Sequence, residues 1–222
     1  MTRRGRVRLN SVFALALLGA TTGLPLAAQE ALQDFDETGN RGFELLGAVG
    51  LLTPVGNLTE DPASFGTTIN VNVAYGLEGT IWLSRHWGVG AAGWYSPAQL
   101  QARDLPQGIE GPDLGSADYA TGAIEAIYRF RGEGSRSVLE PYLAAGGGIR
   151  HLSVGPEAAP EVRDATDPAA VVAGGVRLEG VLTKMMIRLE VRDHISMFES
   201  PTTGESKLQN DIILSFGVGV RF

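Results

Sequence analysis

Residues 210–222 read Asn-Asp-Ile-Ile-Leu-Ser-Phe-Gly-Val-Gly-Val-Arg-Phe. Ile212, Leu214, Phe216, Val218, Val220 and Phe222 fall on one face of an extended chain. Asp211, Ser215, Gly217, Gly219 and Arg221 fall on the other, with Ile213 the only apolar residue among them. Successive side chains of a strand point to opposite faces, so this alternation predicts a strand. A half-buried strand of a water-soluble sheet usually carries a shorter run. A strand that crosses hydrocarbon needs about 9–11 residues with one unbroken apolar face. The stretch therefore predicts a membrane-crossing strand.

The other end of the chain agrees. Arg3, Arg4, Arg6 and Arg8 precede an apolar run from Val12 to Ala20, and small residues close the segment at Ala27-Ala28. No polar face recurs through it, and it is too short to span a bilayer as a helix. It reads as a secretory signal occupying residues 1–28. Its removal takes four of the 18 basic side chains and none of the 25 acidic ones, deepening the net charge from −7 to about −11. So acidic a chain lacks the basic footprint that a nucleic-acid partner requires. Zero cysteines exclude a disulfide scaffold and thiolate metal sites. Thirty glycines suit a tightly curved sheet.

Residues 29–40 are acidic and unpatterned and read as a periplasmic lead-in. Residues 41–222 hold eight alternating segments separated by turn signals. They span about Arg41–Val55, Asn70–Leu83, Trp87–Tyr95, Tyr119–Phe130, Leu139–Val154, Ala170–Leu182, Met185–Met197 and Asn210–Phe222. Gly146-Gly147-Gly148 predicts a bend or bulge in the fifth. Four connections are long (Gly56–Ile69, Ser96–Asp118, Gly155–Ala169 and Glu199–Gln209) and strictly alternate with three short ones, at Ser84–His86, Arg131–Ser137 and Thr183-Lys184. That is the signature of an all-β, eight-stranded antiparallel up-and-down transmembrane β-barrel, with long loops outside the cell and short turns in the periplasm.

One face of each clear strand is nearly free of charge. The other carries Glu44, Glu78, Glu125, Arg129, Arg150, Arg177, Glu179, Arg188, Glu190, Arg192 and Arg221. The signal segment and the terminal aromatic set the direction: apolar side chains outward to lipid, charged ones inward. An unpaired charge inside so narrow a barrel costs several kcal/mol. The ten from Glu44 to Arg192 are therefore read as a lumen salt-bridge network, with opposite charges meeting across the Arg177/Glu179 and Arg188/Glu190/Arg192 hairpin. A narrow ion-conducting pore is the functional alternative. Tyr75, Trp87, Tyr95, Tyr128, Phe130 and Phe222 are candidates for interfacial aromatic girdles.

The terminal Phe222, the loop asymmetry, Glu140-Pro141-Tyr142-Leu143-Ala144-Ala145-Gly146-Gly147-Gly148 and Arg188-Leu189-Glu190-Val191-Arg192-Asp193-His194 together carry a resemblance. From about Gly42 to Phe222 the chain resembles the small eight-stranded bacterial outer-membrane β-barrels, the outer membrane protein A transmembrane domain and its X-type relatives. The resemblance implies an outer-membrane location and a structural or surface-interaction role without a cofactor. It also implies contact with outer-membrane lipid and lipopolysaccharide, and recognition by the barrel-assembly machinery through the C-terminal strand ending at Phe222. A monomer is expected. Nothing follows the eighth strand, so the peptidoglycan-binding domain of the full-length A-type protein is expected to be absent.

Other motifs are weaker. His151-Leu152-Ser153 has the His-x-Ser spacing of lipid A deacylase, another outer-membrane barrel. Val154 and Gly155 follow where that family shows Asn and Ala, so a lipid A-modifying enzyme stays the lesser alternative. Asp34-x-Asp36-x-Thr38-Gly39 opens like a calcium loop, but its twelfth position is Leu45 rather than Glu. The loop acids Glu60, Asp61, Asp104, Glu110, Asp113, Glu157, Glu161, Asp164 and Asp167 offer places for divalent cations that bridge lipopolysaccharide phosphates. A periplasmic lipocalin-like carrier, a third reading, requires the apolar faces to point inward.

Overall fold

The structure, a computed structural model, describes residues 42–55, 66–103, 113–131, 139–155, 164–182, 184–199 and 206–222. All lie in one compact unit, Asn40–Phe222. The signal segment 1–28, the lead-in 29–40 and the Asp34/Asp36 motif lie outside the described residues.

Nine strand segments follow in order: β1 Gly42–Val55, β2 Gly66–Ile69, β3 Asn72–Trp82, β4 Trp87–Arg103, β5 Asp113–Arg129, β6 Leu139–Val154, β7 Ala165–Leu182, β8 Met185–Glu199 and β9 Ser206–Arg221. Every pairing is antiparallel, and each strand from β3 onward pairs with the next in the chain. β1 pairs with both β3 and β9, which closes the cylinder. The segment β2 pairs only with β4, beyond the end of β3. It continues the second wall strand, so the closed wall has eight strands.

The break between β2 and β3 has a local cause. It lies opposite Pro97 of β4, which has no N–H to donate to a ladder. Asn72 takes over there: its side chain donates to the Pro97 carbonyl and accepts from the N–H of Val73. The Asn70 N–H resumes pairing at the Gln99 carbonyl.

The direction of the faces is decided on β8. Arg188, Glu190 and Arg192 are 6%, 2% and 1% exposed, whereas Leu189 and Val191 are 48% and 51% exposed. The outward set continues through Val49, Leu51, Ile81, Val89, Ile124, Leu143, Ile149, Val172, Leu214, Phe216 and Val218. Water-soluble monomers rarely display so continuous an apolar surface, which suits hydrocarbon. The lipocalin-like alternative, with its apolar faces inward, is thereby excluded.

At the end of the barrel holding the short turns and Phe222, rings meet on the outside. Trp87 and Phe130 both pack edge-on against Tyr128, and Phe43 stacks on Phe222. Tyr75 and Tyr95 face each other across β3 and β4 nearer the other end. The Ser84 hydroxyl accepts the N–H groups of His86 and Trp87, which shapes the first short turn.

Two expectations change. The strands run well into the expected loops: β2 lies within Gly56–Ile69, β4 and β5 enter Ser96–Asp118, β7 starts at Ala165 and β9 at Ser206. Along β4 to β6 the polarity reverses in these extensions. Ala98, Leu100, Ala117, Tyr119 and Leu152 point inward, while Gln99, Ser116 and Asp118 point outward. A search for apolar side chains on the outer face stops where that reversal begins.

The second change concerns Gly146–Gly148, where no bulge forms. The β5–β6 register runs unbroken from Ala117↔Val154 to Arg129↔Tyr142. These glycines serve close approach instead. A Cβ on Gly146 would lie 2.0 Å from the Ile124 carbonyl oxygen, and one on Gly148 2.0 Å from that of Gly122. The real shift between β4 and β5 falls at Leu100/Gln101, beside Gly115 with φ 116°.

A contrast follows within one triplet. Gly146→Ala and Gly148→Ala should each destabilise the barrel by about 1–3 kcal/mol, the usual range for overpacking. Gly147→Ala, whose Cβ meets nothing nearer than 3.8 Å, should be neutral. Urea midpoints of the detergent-refolded variants measure this; equal effects at all three positions would contradict the close-approach reading.

Candidate functional site

The lumen is built from even-spaced positions on opposite walls. Alternation on β8 sends Arg188, Glu190, Arg192 and His194 inward, and alternation on the other strands sends Glu78 in from β3, Glu125 from β5 and Tyr142 from β6. None of β3, β5 and β6 is a neighbour of β8, so these long side chains meet those of β8 across the barrel.

Four of them close a ring of alternating charge. Arg188 pairs with Glu78, Glu78 lies 3.4 Å from Arg192, Arg192 lies 2.9 Å from Glu190, and Glu190 lies 3.7 Å from Arg188. Glu125 joins from the far wall through Arg192. The Tyr142 hydroxyl donates to Glu190 at 2.5 Å. Arg192 thus serves three carboxylates at once, which its planar fork of five donors permits.

A second ring sits nearer the short turns. Arg177 lies 2.7 Å from Glu44 and 3.2 Å from Glu179; Arg221 lies 3.7 Å from Glu179 and 4.0 Å from Glu44. Arg129 adds to it at 3.8 Å from Glu179 and 3.9 Å from Glu140, and Arg131 reaches Glu140 at 3.0 Å. The Trp82 ring carries two guanidiniums, Arg129 at 4.0 Å from its centroid and Arg177 at 4.9 Å. Arg129 also anchors the first short turn, donating through Nε to the Arg85 carbonyl at 2.6 Å.

Towards the long-loop end the charges thin out. Arg150 donates to Asp211 at 2.7 Å and to Asp167 at 3.3 Å, with Gln209 donating to Asp211. His194 meets the Thr121 hydroxyl at 3.2 Å. Beyond them Leu52, Ile69, Trp94, Ala98, Leu100, Tyr119, Leu152 and Ile213 pack into one apolar cluster that fills the bore.

Solved structures share this architecture. Neisserial surface protein A aligns at 15% identity over 81% of this chain and 97% of its own, with a TM-score of 0.55. OprG from Pseudomonas aeruginosa aligns at 12% identity over 84% and 99%, with a TM-score of 0.53. AlkL, solved in DMPC lipid bilayers, aligns at 15% identity over 84% and 93%, with a TM-score of 0.53. The fold is that of the small outer-membrane β-barrels. No protein-family model matches the sequence, and no curated protein matches it significantly. The outer-membrane location rests on this fold together with the apolar exterior.

In this outer-membrane barrel, nine of the ten residues expected in the lumen are buried and Glu179 is partly exposed. Glu44, Arg177, Glu179 and Arg129 gather in the turn-end assembly, and Glu78, Glu125, Arg188, Glu190 and Arg192 in the central one. Arg150 joins neither, being held by Asp211 and Asp167. Sequence reading did not single out Glu140, Tyr142, Asp211 or Trp82 as partners. Parity could have found Glu140 and Tyr142, which share an even-numbered face with Arg150. Asp167 was read as a loop acid but sits in β7, facing Arg150.

His151 and Ser153 lie on the outward face, either side of the inward Leu152. His151 Nδ1 engages the Thr166 hydroxyl at 2.7 Å. Asp118, the cross-strand partner of Ser153, accepts from the Tyr95 hydroxyl at 2.8 Å. The carboxylate is thus held by a tyrosine, not by the histidine it would orient in a hydrolase. Asp164 accepts the Val154 N–H. Among the loop acids, the side chains of Glu60, Asp61, Asp104, Glu110, Asp113, Glu157 and Glu161 are outside the described residues. No group of three His, Asp or Glu among the described residues is arranged to hold a metal ion.

Removing one cation from the central ring strands several buried carboxylates. Arg192→Met should destabilise the refolded barrel by about 3–5 kcal/mol, as breaking a buried pair does. Glu179→Gln, at the partly exposed edge, should cost less than about 1 kcal/mol. Denaturant unfolding in micelles measures both; similar losses would mean that the central ring has no special weight.

Proposed function

We propose that this chain is an integral outer-membrane protein with a structural or surface-contact role, and that its barrel is a closed post, not a conduit. The observation that carries the reading is the filled bore. Two arginine–glutamate assemblies and an apolar cluster occupy it in series, and their side chains are almost wholly shielded from solvent. Eight strands leave an interior only wide enough for side chains to fill. Charged groups so held brace the walls against one another without offering a hydrated path.

Surface function then belongs to the long-loop end. Its outward polar side chains on β4 to β7, among them Gln99, Ser116, Asp118, His151 and Thr166, face the lipid headgroup layer and the medium beyond. We take the surroundings to be outer-membrane lipid and lipopolysaccharide, delivery to be by the barrel-assembly machinery acting on the strand that ends at Phe222, and the working unit to be a monomer. The lipid A-modifying alternative gains nothing from His151, whose Nδ1 is occupied by Thr166.

Planar-bilayer recording on the refolded protein tests the reading. The account expects no discrete openings from the parent protein, at neutral pH and high salt. Long-lived, regular conductance steps from the parent would replace the post with a narrow ion path.

A further inference from the structure

Between the two charge rings lies a small cavity, with room for about one water molecule. Its walls take one ion pair from each ring: Glu44 and Arg177 from the turn-end ring, Glu78 and Arg188 from the central one. Trp82, Thr80 and Tyr142 complete the polar part of the lining. Two donors of these walls, Trp82 Nε1 and Arg177 Nη1, are fully buried and have no hydrogen-bond partner among the described residues. Leaving a buried donor without a partner destabilises the fold, more so when the donor is charged. Two in the walls of one small cavity call for an occupant.

We propose that this cavity is the site of one resident water molecule that joins the two rings. The chemistry of the walls selects it. An anion there meets the carboxylates of Glu44 and Glu78, and a cation meets the guanidiniums of Arg177 and Arg188. Water both donates and accepts, so one molecule satisfies the indole and guanidinium donors through its oxygen and returns its protons to the carboxylates. Buried waters typically make about three such bonds. The occupant makes the two rings one hydrogen-bonded column, reaching from Arg131 at the turn end to Glu125 in the middle of the bore.

Two measurements on the full barrel test this. In solid-state NMR of the protein refolded in lipid bilayers, the Trp82 Nε1–H signal is assigned by elimination with Trp87→Phe and Trp94→Phe. It should receive rapid polarisation transfer from water, and its position should not change when chloride is exchanged for bromide. A Trp82 Nε1–H with no water transfer, or one whose signal follows the halide, overturns the proposal. Independently, Thr80→Ile places apolar atoms in the cavity. It should lower the urea midpoint by roughly half a molar if a water is expelled from its partners. A raised midpoint means that the substitution filled an empty void, and the water site is then wrong.

Discussion

A guanidinium inside an eight-stranded barrel has almost no water to hydrate it, and no route back to the surface. It must meet carboxylates, some on its own or an adjacent strand and others, such as Glu78 and Glu125, on the facing wall. This one requirement organises the molecule. Arg188, Glu190 and Arg192 occupy alternate positions of β8 because only alternate positions face inward. Their partners lie on β3 and β5, strands that cannot touch β8 through backbone pairing. Pairing across the bore therefore fixes how the walls sit relative to one another, in addition to the ladder that fixes each strand to its neighbour. A slip of one residue in β8 would turn three charges onto the lipid face and bring Leu189 and Val191 inside.

The bilayer imposes the complementary constraint. Backbone groups in hydrocarbon must all be satisfied within the protein, so the wall has to close, and β1 does so by pairing with both β3 and β9. Where the wall leaves the hydrocarbon, the preference of each face changes. On β4 to β6 the inward positions become apolar and the outward ones polar, as in any protein facing water. The same strands thus carry two opposite hydrophobic patterns in series. The crossover lies near Trp94, Thr121 and Arg150.

This crossover also explains what the sequence disclosed and what it hid. The membrane-crossing half of each strand was legible, because apolar and charged positions alternate without interruption from Ile187 to Arg192, and apolar positions alternate with small, polar or charged ones from Leu214 to Phe222. Strand number, connection order and the inward direction of the charges followed. The strand extensions did not, since Ala98, Leu100 and Ala117 obey the reverse rule, and Pro97 and Pro168 looked like loop residues although both sit in strands with outward side chains. Gly146–Gly148 misled for a related reason. A glycine admitted by crowding against a neighbouring backbone and a glycine needed for a bulge look identical in one dimension. The membership of the rings was readable by parity, but the pairing within them was not. Which arginine meets which glutamate depends on the stagger of non-adjacent strands, information that no single strand contains.

The inside-out arrangement can be measured residue by residue, since the chain has no cysteine to interfere. Single cysteines placed from Ile187 to Val191 on β8 and from Ile212 to Phe216 on β9 carry a nitroxide, and the labelled proteins are refolded into lipid vesicles. Collision with oxygen, which concentrates in hydrocarbon, is then read by electron paramagnetic resonance. The account predicts high oxygen accessibility and mobile labels at 187, 189, 191, 212, 214 and 216, and low accessibility with immobilised labels at 188, 190, 213 and 215. An opposite phase, or no alternation at all, would contradict a barrel that keeps its charges inside and its apolar side chains against lipid.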